Sequence, residues 1–149
     1  MTDPVQRTES LSLEGGSIRR YAGGELAWEM PLSNLRVIGE YTTESGPAFD
    51  DWFVVFVDVD ANWCEVPAYV SNVAVVLREV GEALGAPLTF GLANSASFRS
   101  NILWPLTLRG QKLLSFRPRK VRNWLFRAFA PRRIEMSLTQ AVLDAAQSK

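Results

Sequence analysis

The chain of 149 residues contains no histidine and one cysteine, Cys64, which excludes Ser-His-Asp and Cys-His nucleophile systems in their usual form, histidine-held haem and Cys/His zinc sites. Apolar residues make up 47% of it, and a domain of this size buries roughly 70% of its unfolded surface, enough for one core. The net charge is zero, yet residues 1–98 carry five basic and fourteen acidic residues, whereas residues 99–149 carry eleven basic and two acidic. Such a split points towards an acidic partner, unless the two halves simply complement each other inside the fold.

The opening Met1-Thr2-Asp3-Pro4 is polar and has no signal-peptide pattern, and no apolar run reaches the roughly 18 residues of a spanning helix. With one cysteine and no disulfide framework, a soluble cytoplasmic protein is expected. No cofactor is called for. Residues 1–14 read as a flexible lead-in, 15–116 as one α+β domain, and 117–149 as a basic helical segment packed on the same domain.

Gly15-Gly16 opens a short strand, Ser17 to Tyr21. Gly23-Gly24 supplies a hairpin turn, because glycine accepts the positive φ such turns need. The return strand, Glu25 to Met30, places Leu26, Trp28 and Met30 on one side, and Pro31 ends it. Leu35 to Tyr41 follows as a third strand. The run Trp52-Phe53-Val54-Val55-Phe56-Val57 is the most informative stretch: short, apolar and rich in β-branched and aromatic residues, it predicts a strand covered on both faces. A tight turn at Ala61-Asn62 leads to a fifth strand, Trp63 to Val66. These five strands predict an antiparallel meander that helices must cover.

Ser71 or Asn72 is positioned to cap a helix over about 72–84, with Val73, Val76, Leu77, Val80 and Leu84 as its apolar stripe and Gly85 as its stop. Leu88 to Leu92 predicts a short strand, and Ala93 to Ser100 a serine-rich loop. Pro105 argues against a central strand over 102–108, and Lys112 to Phe116 predicts an edge strand. Ser137 with Gln140 matches a capping box ahead of a last helix over 138–147. The expected fold is therefore α+β: a curved antiparallel sheet of five to seven strands, in a PH-like or barrel-like version, packed by the central helix and the helical C-terminal segment.

Three chemistries compete for the function. Nine basic residues lie between Arg109 and Arg133 with no acidic residue among them, interleaved with Trp124, Phe126 and Phe129. A basic amphipathic helix of this kind docks on acidic protein grooves or anionic membranes, and less readily on nucleic acid. The preferred reading is a non-enzymatic binding or adaptor protein that meets an acidic protein partner through Arg119, Lys120, Arg122, Trp124, Arg127, Arg132 and Arg133. Peripheral binding to anionic membranes through the same segment is the first alternative.

The second alternative rests on Asp58 and Asp60. At i and i+2 of an extended strand, two carboxylates share a face and suit Mg²⁺. The string Phe53-Val54-Val55-Phe56-Val57-Asp58-Val59-Asp60 resembles the first motif of haloacid-dehalogenase-type phosphatases. That resemblance implies a Mg²⁺-dependent phosphoryl hydrolase on a parallel sheet, while the short hairpin to Trp63 points to an antiparallel one. Cys64 has no basic neighbour in sequence and reads as a structural thiol. Ser95, Ser97 and Ser100 beside Arg99 suit either a bound phosphate or a loop bonded to its own backbone.

Overall fold

In the computed structural model, which describes residues 9–44, 52–92, 97–118 and 134–148, strands β1 (Ser10–Glu14), β2 (Ser17–Ala22) and β3 (Glu25–Pro31) form an antiparallel meander. Gly15-Gly16 and Gly23-Gly24 join them with φ from 57° to 81°, the left-handed region that two-residue hairpin turns require. The Gly15-Gly16 pair is thus a turn and not the start of a strand. Ser10–Glu14 is likewise a strand, where the sequence suggests the end of a lead-in. Its alternation explains why: Leu11 is fully buried and Leu13 packs on the same core.

The chain then changes sheet. A turn closed by Asn34 N–H to Pro31 O at 2.9 Å and Leu35 N–H to Leu32 O at 3.2 Å leads into β4 (Leu35–Thr42), followed by β5 (Trp52–Asp58), β6 (Trp63–Pro67) and β7 (Arg99–Trp104). These form a four-stranded antiparallel sheet in the order β6-β5-β4-β7. The expected five-strand meander therefore divides at Pro31. Both edges of β4 are taken by β5 and β7, so β3 packs face-on instead, with Trp28 against Phe56 at 5.6 Å between ring centroids. Among the described residues the strands lie in sheets of three, four and two, not in one sheet of five to seven, and none closes into a barrel.

Helix α1 (Val73–Leu84) matches its sequence stripe, burying Val73, Val76, Leu77 and Val80. Gly85 ends it in the left-handed conformation. Asn72 is the N-terminal boundary residue, but its side chain makes no cap bond. It clasps β1 instead: Leu11 N–H donates to Asn72 Oδ1 at 3.0 Å, and Asn72 Nδ2 donates to Leu11 O. Residues 88–92 are irregular and not a strand.

After a 3-10 turn (Leu106–Leu108) the chain forms β8 (Leu114–Pro118), which pairs antiparallel with β9 (Ile134–Leu138), followed by α2 (Gln140–Gln147). Ser137 lies in β9, so the expected capping box does not form. The boundary residue of α2 is Thr139, whose hydroxyl donates to Lys112 O at 2.7 Å. Ser100 of β7 ties down the start of β8: its hydroxyl receives Leu114 N–H at 2.9 Å and donates to Leu114 O at 3.2 Å.

The four-stranded sheet is covered on both sides. Val54 and Phe56 of β5 face the core shared with α1 and the three-stranded sheet. Val55 and Val57 face a second core closed by Leu113, Leu114, Met136, Leu138 and Val142. All four β5 side chains have zero exposure, each contributing about 1.5–3 kcal/mol through burial. The two-face character read from the sequence of this strand is what the fold uses. Among the described residues no helix is long and apolar enough to cross a membrane.

Candidate functional site

Asp58 closes β5, and its side chain serves the backbone. Oδ1 accepts Asp60 N–H at 2.9 Å and Asn62 N–H at 3.0 Å, in a turn that holds Ala61 at φ 62°. The shared-face argument for a metal pair requires both aspartates in extended strand, whereas Asp60 lies in the turn. Among the described residues, no three His, Cys, Asp or Glu side chains are grouped as metal ligands. The sheet around β5 is antiparallel on both sides, unlike the parallel sheet that the phosphatase resemblance implies.

A different carboxylate is deeply placed. Glu40, in the middle of β4, has zero exposure. Oε1 accepts Gly91 N–H at 2.6 Å, Leu92 N–H at 3.1 Å and Asn101 Nδ2 at 3.2 Å, while Oε2 accepts Trp52 Nε1 at 2.9 Å. Alternation along β4 puts Glu40 on the face of Ile38, under the chain that returns from α1. Four donors from three distant segments replace water around a group that would otherwise be costly to bury. The consequence is positional: Glu40 holds residues 91–92 against the sheet.

Two grooves flank the segment that Glu40 holds. One, of about 740 Å³, runs between α1 and residues 85–90, with Ala74, Leu77, Leu88 and Phe90 among its walls and Arg78 and Glu82 lining it. Gly81 makes it possible, since a Cβ there would lie 2.6 Å from Ala86 O and stop the returning chain from closing on the helix. Phe90 is fixed by an edge contact with Trp52 at 4.8 Å.

The other groove, of about 750 Å³, is polar. Gly91 and Leu92 form one side, and Arg99, Ser100, Asn101, Lys112, Ser115 and Thr139 line the rest. Phe98 and Phe116, 5.4 Å apart at their ring centroids, add an aromatic patch. Arg99 and Lys112 are exposed, and neither forms an ion pair among the described residues, where Arg19 and Arg20 are the cations that do.

The residues expected to bind, Arg119, Lys120, Arg122, Trp124, Arg127, Arg132 and Arg133, lie outside the described residues, as does Ser95. Their attachment point is described. Pro118 pairs with Ile134, so the chain leaves and rejoins the fold at one end of the β8–β9 hairpin, just beyond Phe116. Of the serine-rich loop, Ser97 O accepts the Thr42 hydroxyl at 2.6 Å, while Arg99 and Ser100 belong to β7 and to the polar groove. Sequence reasoning passed over Glu40, Asn101, Lys112 and Thr139. Only Glu40 carried a signal, a carboxylate inside the apolar strand Val37-Ile38-Gly39-Glu40-Tyr41.

Compared with protein-family models, with curated proteins and with solved structures, the chain matches none. The functional reading therefore rests on the geometry.

Proposed function

We propose that this is a binding protein that takes an acidic segment of a protein partner in the groove between β7 and the β8–β9 hairpin. The observation that carries the reading is the pair Arg99 and Lys112, exposed and without a carboxylate partner among the described residues, in a groove that Ser100 and Asn101 also line. Among the described residues, no carboxylate lines that groove. The sequence from Ala83 to Ile134 contains no acidic residue, and the two exposed charges lining the groove, Arg99 and Lys112, are both positive and attract an anionic partner. In sequence, the basic run through Arg119, Lys120, Arg122, Arg127, Arg132 and Arg133 follows directly after Pro118 and carries the same sign of charge. A soluble, cytoplasmic adaptor role fits this chemistry.

The test offers the full-length protein three anionic probes: a fluorescein-labelled polyglutamate peptide, phosphatidylserine-containing vesicles and duplex DNA. Binding of the peptide is expected to weaken with salt, and the double reversal Arg99→Glu/Lys112→Glu is expected to weaken it about tenfold or more. Peptide binding that survives the double reversal, or binding to vesicles or DNA alone, overturns the proposal. Vesicle binding alone would return the basic segment to a membrane role.

A further inference from the structure

We infer that the partner segment reads both grooves at once: an acidic stretch lies over Arg99 and Lys112, and an adjoining pair of apolar side chains seats against α1. This rests on the acidic-partner reading and adds to it what kind of acidic segment is taken.

The two grooves adjoin along one continuous stretch of chain. Ala86 to Phe90 line the apolar groove and Gly91-Leu92 line the polar one, so they meet at a single peptide bond. That stretch is fixed from beneath and from both ends. Ala86 N–H bonds Gly81 O at 2.9 Å, the Phe90 ring abuts Trp52, and Glu40 receives the N–H groups of Gly91 and Leu92. A surface held this way is pre-organised, and binding there does not have to order it first.

Charge selects the occupant. Among the described residues, Glu82 is the only carboxylate lining either groove, against Arg78, Arg99 and Lys112. A purely apolar ligand leaves the cations over the polar groove unused, and a purely acidic one leaves the apolar walls by α1 in water. An extended segment with a leucine-like pair beside a carboxylate run satisfies both, in the manner of peptides that pair apolar anchors with charge.

The full-length protein is titrated with two labelled peptides, one with a leucine pair followed by a run of glutamates and one with serines in place of the leucines. The leucine peptide is expected to bind about tenfold more tightly, the increment expected from burying apolar side chains. Ala74→Trp, which obstructs the groove from the exposed side of α1, is expected to abolish that difference and leave the serine peptide unaffected. Thr89→Trp acts from the opposite wall and gives a second reading should the first variant not fold. Equal affinities for the two peptides, or a difference that survives in both variants, overturns this inference while leaving the acidic-partner reading intact. No binding of either peptide overturns both.

Discussion

Glu40 receives its four hydrogen bonds from neutral donors on three separate segments, so its removal strands groups that are already out of water. Glu40→Ala is expected to cost about 3 kcal/mol or more in urea unfolding, because each buried donor left alone carries its own desolvation penalty. Glu40→Gln keeps the shape but turns a donor towards donors, and an intermediate loss is expected. A neutral Glu40→Ala would show that residues 91–92 do not depend on the carboxylate. Two other residues link stability to alkaline pH. Burial, and then the 2.6 Å bond it donates to Glu65, pushes the Tyr41 hydroxyl well above its ordinary value of 10.0. Burial, and then the charge of Asp58, raises the Cys64 thiol above 9.0. In both cases the folded state keeps a proton that the unfolded chain releases. Their stabilisation is therefore complete below the ordinary values and declines as pH rises past them. Chemical unfolding followed from about pH 8 to about pH 11 should show this fall, and Tyr41→Phe should flatten the part above about pH 10.

At the scale of elements, Asn72 is the informative join. Its position before α1 reads as a helix cap, yet its amide both accepts from and donates to Leu11 of β1. It behaves as a one-residue substitute for a neighbouring strand, satisfying an edge that β2 does not reach. The two roles separate cleanly in Asn72→Asp. Aspartate caps helices as well as asparagine does, so a capping role predicts little change in melting temperature. The clasp predicts a loss of about 1–2 kcal/mol, since a carboxylate oxygen would then face Leu11 O with no proton between them. Ser100 plays a matching part on β7, the edge of the four-stranded sheet, where one hydroxyl serves both backbone groups of Leu114 at the start of β8.

For the molecule as a whole, the two-sided burial of the four-stranded sheet makes the C-terminal elements structural. Val37, Val55, Val57 and Ile102 are closed over by Met136, Leu138, Val142 and Ala145. A chain ending at Phe116 lacks β9 and α2, and is expected to show no cooperative thermal transition. By contrast, replacing residues 119–133 with a short Gly-Ser turn preserves that cover, because Pro118 and Ile134 are already cross-strand partners. Circular dichroism melts of the two shortened chains distinguish the cases. A cooperative melt of the chain ending at Phe116 would mean that the second face needs no cover. The variant lacking 119–133 then allows the basic run to be assayed apart from the groove.

What the sequence determined by itself was local. The glycine pair at 23–24, the apolar stripe and Gly85 stop of α1 and the twofold-covered strand at Trp52–Asp58 all depend on neighbours a few residues away, which leave a period or a turn signature, and the charge split between halves is a matter of composition. The missing imidazoles likewise removed whole chemistries before any geometry was known. Only the tertiary structure decided that β3 and β4 part into different sheets, that Ser10–Glu14 joins as a strand, and that Asn72 serves Leu11, 61 positions earlier. It also decided that Glu40 is buried among donors 51 and 61 positions away, and that Arg99 and Lys112 share one groove. The physical reason is the same throughout. A hydrogen bond or a shared wall between distant segments exists only once the chain has closed on itself, and no periodicity along the sequence records which edge or which loop will arrive there.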